Sequence, residues 1–159
     1  MTRRERRYRK RKAPMTYGEL EARGMIRKTN IQPEEVVAAY KAATEELSAA
    51  KLLLQKNYPT QSFRLAVESM IMSGMALVYR EGYRPRARAI IALVHFAEIN
   101  LGPEHRNLIN RFDYFRQHRN TRAFYVMGRF DPQVEPHLTK EALDTAQELL
   151  IVTKELLAS

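Results

Sequence analysis

Apolar residues in this chain recur at steps of three and four over long stretches, and no alternating pattern outlasts a few residues. That rhythm is the signature of one face of an α-helix, and it leaves sheet-built architectures without support. From Val36 the series runs through Tyr40, Ala43, Leu47, Ala50 and Leu54, which predicts a helix over residues 33 to about 57. Pro33 suits a first helical turn, and Glu34 and Glu35 stand where the helix dipole favours negative charge. A second helix is expected from about Thr60, after Pro59, to Gly82, with Phe63, Val67, Met70, Gly74 and Leu77 on its main stripe. Leu65, Ile71, Met75 and Val78 widen that stripe, so this helix should lie centrally with neighbours on several sides.

Shorter segments complete the pattern. Thr16 and Glu19 have the spacing of a capping box, which predicts a short helix over 17–23 with Gly24 as its stop. A loop over 82–86 should lead to a helix over 88–101 carrying Ile90, Leu93, Val94 and Ala97. Gly102 and Pro103 end it and open another, whose stripe is Leu108, Phe112 and Phe115, with Arg119 next in the same rhythm. Residues 120–137, with Gly128, Pro132 and Pro136, read as an irregular connector or a short hairpin. In the last helix Leu138, Ala142, Thr145, Leu149, Val152 and Leu156 step by four and three, and Thr139 is the expected cap. The expectation is an all-α fold, an antiparallel up-and-down bundle of four to five helices, forming a single domain over 15–159.

The 159 residues suffice for one substantial core and are too few for two ordinary domains. The chain has no cysteine, which excludes disulfides and thiolate metal sites. No run approaches the length of a membrane-spanning helix, and no apolar segment follows the basic N-terminus as a secretory signal requires. A cytoplasmic protein without a membrane partner is expected. The net charge of +9 is concentrated: Arg3, Arg4, Arg6, Arg7, Arg9, Lys10, Arg11 and Lys12 face the single acid Glu5, leaving only +2 for the rest. Residues 1–14 cannot bury apolar surface and are expected to form a disordered basic tail. Such an arm is either a solvated terminus or a sequence-independent attractor of nucleic acid, with Tyr8 as one stacking face. Acidic lipid fits less well, because no apolar anchor accompanies the charge.

The most unusual stretch is 111–125, where Arg111, Arg116, Arg119 and Arg122 fall among Phe112, Tyr114, Phe115, Phe124 and Tyr125, with His118 and Asn120 between them. Arg119 falls on the apolar stripe, where a charge must be paired or must line a cleft. It either pairs with a carboxylate at the end of the bundle while the aromatics fill the core, or helps form an anion pocket. Guanidinium forks grip phosphate, and aromatic faces beside them stack bases.

Across residues 32–157 the chain resembles the HEPN domains. The matching pieces are 47–53, an alanine- and leucine-rich helical face; 72–82, the end of a long central helix; 112–125, a later helix closing in Arg119-Asn120; and 141–148 in the last helix. The resemblance implies an RNA-linked, dimeric domain. Many members are metal-independent ribonucleases, toxins among them, whose signature is an Arg, a polar residue and a downstream His. Arg119 and Asn120 match its start, but Phe124, Tyr125 and Val126 occupy the window where the His belongs. A literal Arg-x6-His match at Arg111 and His118 places Phe112 where the polar residue belongs.

The leading expectation is therefore a HEPN-like RNA-binding protein, a ribonuclease or a degenerate toxin-antitoxin-type relative acting as a homodimer. Its candidate catalytic residues are His118, Arg119 and Arg116. The tail cations with Asn120, Arg122 and Tyr125 are the candidate nucleic-acid contacts. In that mechanism His118 moves the proton of a ribose 2′-hydroxyl while Arg116 or Arg119 stabilises charge on the phosphorane. The alternative is a non-catalytic helical module that partners a nucleotidyltransferase or toxin. A small-nucleotide binder is a third possibility. No cofactor is expected and no metal: His95 and Glu98 lie three apart on a helix, without the further carboxylates and second His that helical metal sites need. His105 and His137 have no evident partner, His137 being expected in a loop.

Overall fold

The structure is a computed structural model that describes residues 15–87, 89–119 and 134–159. Among these residues six α-helices account for nearly all the secondary structure: α1 (Tyr17–Ala22), α2 (Pro33–Gln55), α3 (Pro59–Arg80), α4 (Ile91–Leu101), α5 (Arg106–His118) and α6 (Pro136–Ala158). The all-α class is as expected. α3 is the central helix, packed against α2, α4, α5 and α6. Its burial follows from its composition: Phe63, Ala66, Val67, Met70, Ala76, Leu77 and Val78 have essentially no exposed surface. One continuous core joins Leu20 of α1 to Leu150 of α6.

Small residues let α2 approach α3. The buried face of α2 is Ala39, Ala43, Leu47 and Ala50, one step across from Val36, Tyr40 and Leu54, which are only half-buried. Against it α3 places two buried serines. Ser62 Oγ donates to the Ala50 carbonyl at 2.6 Å and Ser69 Oγ to the Ala43 carbonyl at 2.7 Å, so two buried and satisfied hydroxyls tie the helices together. Gly74 serves the opposite contact: a Cβ there would meet Leu93 Cβ at 3.0 Å, so its absence sets how closely α4 packs.

Three expectations are corrected. The first is a small sheet where a loop was expected. β1 (Ile26–Lys28) pairs antiparallel with β2 (Tyr83–Pro85) in the register Ile26 to Pro85, Arg27 to Arg84 and Lys28 to Tyr83. Ile26, 1% exposed, anchors this ribbon in the core, and Tyr83 packs edge-on to Phe96 at 5.8 Å between ring centroids. The second is the start of the last helix: it begins at Pro136, so Thr139 is not its cap but a buried residue whose hydroxyl donates to the Pro59 carbonyl at 2.9 Å. The same start places His137 in the first turn of α6 rather than in a loop. The third is α4, which begins at Ile91 rather than 88. Thr16 does cap α1, accepting from the Glu19 N–H at 3.2 Å.

Glu35 links ribbon to bundle. It accepts the Gln32 backbone N–H at 2.9 Å and pairs with Arg84 of β2. The backbone hydrogen bond from Gln32, and then Arg84, lower its carboxyl below the ordinary value of 4.5. A carboxyl depressed in the folded state contributes stability that is fully present above its unfolded value and is lost as pH falls through the folded one. Thermal melts from neutral pH to below 4.5 should therefore show an acid-side decline that is shallower in Glu35→Gln. Parallel curves for the two proteins would refute this coupling.

Candidate functional site

The described part of the stretch singled out in the sequence, residues 111–119, forms the later turns of α5 and its C-terminal cap. A turn of 3-10 helix (Pro103–His105) leads into α5, which buries Leu108, Ile109, Phe112 and Phe115 and turns its polar residues outward and along the bundle. Asp113 is a buried acid on this helix, 8% exposed, and both of its oxygens are used. Oδ1 accepts from Arg116, with Nε at 2.9 Å and Nη2 at 2.5 Å, and Oδ2 accepts from Gln117 at 3.1 Å. Arg111 turns to α6, where it donates to Thr145 Oγ1 at 3.2 Å and pairs with Glu148. Arg119, at the C-terminal cap of α5, reaches α3 and pairs with Glu68.

The three arginines are thus held by three different elements, and each faces a carboxylate. The pairing of Arg119 with a carboxylate is one of the two arrangements the sequence left open, although the acid, Glu68, stands near the middle of α3 rather than at the end of the bundle. Negative charge around it is dense: the Glu46 carboxyl is pushed up by burial, then by the nearby Glu68 and Glu45. Counted over Arg111, Arg116 and Arg119 against Glu148, Asp113 and Glu68, the cluster carries no formal net charge.

His118 lies along its own helix. Its Nδ1 is 2.8 Å from the Tyr114 carbonyl, and its ring stacks on the Tyr114 ring with centroids 4.0 Å apart. A carbonyl only accepts, so this contact places the proton on Nδ1 and, in the neutral ring, the lone pair on Nε2. Arg111 and His118, the literal Arg-x6-His pair, do not share a partner: one engages α6 and the other Tyr114.

No family model matches the chain, and no curated protein matches it significantly.

Asn120, Arg122, Tyr125 and the tail cations Arg3, Arg4, Arg6, Arg7, Arg9, Lys10, Arg11 and Lys12 lie outside the described residues. His95 Nδ1 lies 3.7 Å from Glu98 Oε2, and no group of three or more potential metal ligands occurs among the described residues. No described helix is long and apolar enough to cross a membrane. What the sequence did not reveal is a second set of cations, on the β1–β2 ribbon. Its members come from segments nearly sixty positions apart, so no local charge run marks them.

Proposed function

We propose that this chain is a HEPN-like RNA-binding domain that holds RNA without cleaving it efficiently, a degenerate relative of the ribonucleases of that family. The observation that carries this reading is where charge is left uncompensated. Arg111, Arg116 and Arg119 are cancelled by Glu148, Asp113 and Glu68, whereas eight cations in residues 3–12 face one acid. Attraction for a polyphosphate then belongs to the arm. Asn120, Arg122 and Tyr125, which follow α5 in the sequence, are residue types that donate to and stack on bases.

Turnover asks more of the same residues. The Nε2 lone pair of His118 suits a general base acting on a 2′-hydroxyl. Arg116 and Arg119 would have to leave Asp113 and Glu68 to stabilise a phosphorane, exposing a buried or half-buried carboxylate in doing so. That cost favours binding over cleavage. A second reading, a non-catalytic helical module for a protein partner or a second copy of the chain, is favoured by an open apolar groove of about 590 Å³ where α2 begins and α3 and α6 end. Val36, Val37, Tyr40 and Tyr79 line it, and Val37 is 65% exposed.

The test is a titration of the full chain with labelled single-stranded RNA at low salt, followed by a gel of the RNA. Binding with intact RNA is expected for wild type, His118→Ala and Arg119→Ala alike. Cleavage by wild type that is lost in His118→Ala would replace the degenerate reading with an active ribonuclease. Absence of binding would leave the protein-interaction module. Sedimentation of the same sample reads the proposed homodimer, and a monomer at every concentration would remove it.

A further inference from the structure

The β1–β2 ribbon gathers Arg23, Arg27, Lys28, Arg84 and Arg86 at one end of the bundle. Arg27 stands directly opposite Arg84 in the register, and like charges in that position destabilise a strand pair. Only Arg84 has its charge compensated, by Glu35, while its guanidinium also lies 5.3 Å from the centre of the Tyr79 ring. Arg23, Arg27, Lys28 and Arg86 are exposed, and among the described residues no carboxylate comes within ion-pair distance of them. Between the strands Arg27, Pro85, Arg86 and Ala87 line a shallow depression of about 390 Å³.

The ribbon is rigidly mounted. The Arg86 N–H donates to the Met25 carbonyl at 2.9 Å and the Thr29 N–H to the Gly82 carbonyl at 3.0 Å. Beneath it Tyr17 stacks on Phe96 at 4.6 Å, and the Tyr17 hydroxyl accepts from Asn100 at 2.9 Å. Four uncompensated cations on a fixed platform form a surface suited to a polyanion. The large exposed apolar side chains of the described residues, Val37, Leu52, Tyr58 and Ile151, all lie off the ribbon, so a lipid surface would find no anchor there.

We infer that the β1–β2 ribbon is a phosphate-backbone binding surface for RNA, contacting it through Arg23, Arg27, Lys28 and Arg86. The inference rests on the RNA-binding reading and gives it a second site. That site is distinct from the end of α5: Glu68, which holds Arg119, precedes Gly82 by fourteen residues of chain, about 20 Å along α3 at 1.5 Å per residue. In the sequence it follows the basic segment closely, with eleven residues, 15–25, between residue 14 and Ile26.

The experiment compares three full-length proteins, each first checked for an unchanged circular dichroism spectrum and melting temperature. They are wild type, a ribbon variant with Arg27→Ser, Lys28→Ser and Arg86→Ser, and a charge-matched control with Lys51→Ser, Lys56→Ser and Lys140→Ser. The control residues lie away from the ribbon, toward the opposite end of α3. Binding to labelled single-stranded RNA is measured across about 50 to 200 mM salt, and to vesicles with and without acidic lipid. The ribbon variant should lose at least about tenfold in RNA affinity at low salt, and its log–log salt slope should flatten by about 2, the effect of three lost phosphate contacts at about 0.7 each. The control should stay close to wild type. Equal behaviour of the two variants, with wild type binding RNA, would overturn the ribbon site and leave the RNA reading standing. No RNA binding by wild type would overturn both, as would binding to acidic vesicles alone.

Discussion

Phe63→Ala is expected to remove about 3–5 kcal/mol of folding stability, the range for truncating a buried aromatic. Phe63 has no exposed surface and sits in the first turns of α3, with Phe115 of α5 edge-on to it at 5.9 Å between ring centroids and 70° between planes. Its removal leaves a cavity where α3 meets α5. The neighbouring ties cannot close that gap by a small shift, because Ser62 and Ser69 fix the register of α3 on α2. A domain of this size is typically stable by only about 5–15 kcal/mol, so the loss is a large share of the total. Urea unfolding should show a much lower midpoint with an unchanged slope, while Val37→Ala on the exposed face of α2 should stay within about 0.5 kcal/mol of wild type. A midpoint shift for Phe63→Ala equivalent to less than about 1 kcal/mol would show that the α3–α5 contact is not part of the core.

The helices were legible because their signals are local. Pro33, Pro59, Gly82 and Gly102 punctuate the chain where helices begin or end, and the apolar rhythm between them reports burial directly. Gly102 is held at φ +78° and ψ 177°, a conformation open to glycine almost alone, so α4 must stop there. The ribbon was not legible, since strands of three residues are too short to display a period and their pairing joins positions far apart in sequence. The start of α6 was misread for a related reason. Thr139 looks like a cap by residue type, yet Pro136 begins the helix and the threonine is used across the bundle to satisfy Pro59.

At the candidate site the sequence singled out charged residues but not the partners that hold them. Arg119 had to be paired or to line a cleft, and Glu68, fifty-one positions earlier, decides for pairing. A salt bridge between distant segments leaves no periodic trace, so Glu68 and Glu148 could not be picked out beforehand. Asp113 is different: it lies three residues before Arg116 on one helix face, where an acid and a base are expected to meet, and that spacing could have predicted the pair. The consequence reaches function. Charge that looked concentrated at 111–122 is internally balanced wherever it is described, which moves the electrostatic weight to the arm and the ribbon.

Deleting residues 1–12 should therefore have the largest effect on RNA binding of any change to this chain. The segment carries a net charge of +7. Each phosphate neutralised on a single strand contributes about −0.7 to the slope of log affinity against log salt, so the arm can supply a slope of up to about −5. Over a fourfold rise in salt, from about 50 to 200 mM, a slope of that size amounts to roughly a thousandfold loss of affinity. The shortened protein keeps every residue of the described core, from Met15 onward, and should melt as the full chain does. Its binding at low salt should fall by orders of magnitude, and its remaining slope should approach the shallow value of about −2 to −3 expected from the ribbon alone. Unchanged affinity and slope after the deletion would mean that the arm does not touch RNA, and Arg111, Arg116 and Arg119 could not take its place, because their charge is already spent on Glu148, Asp113 and Glu68.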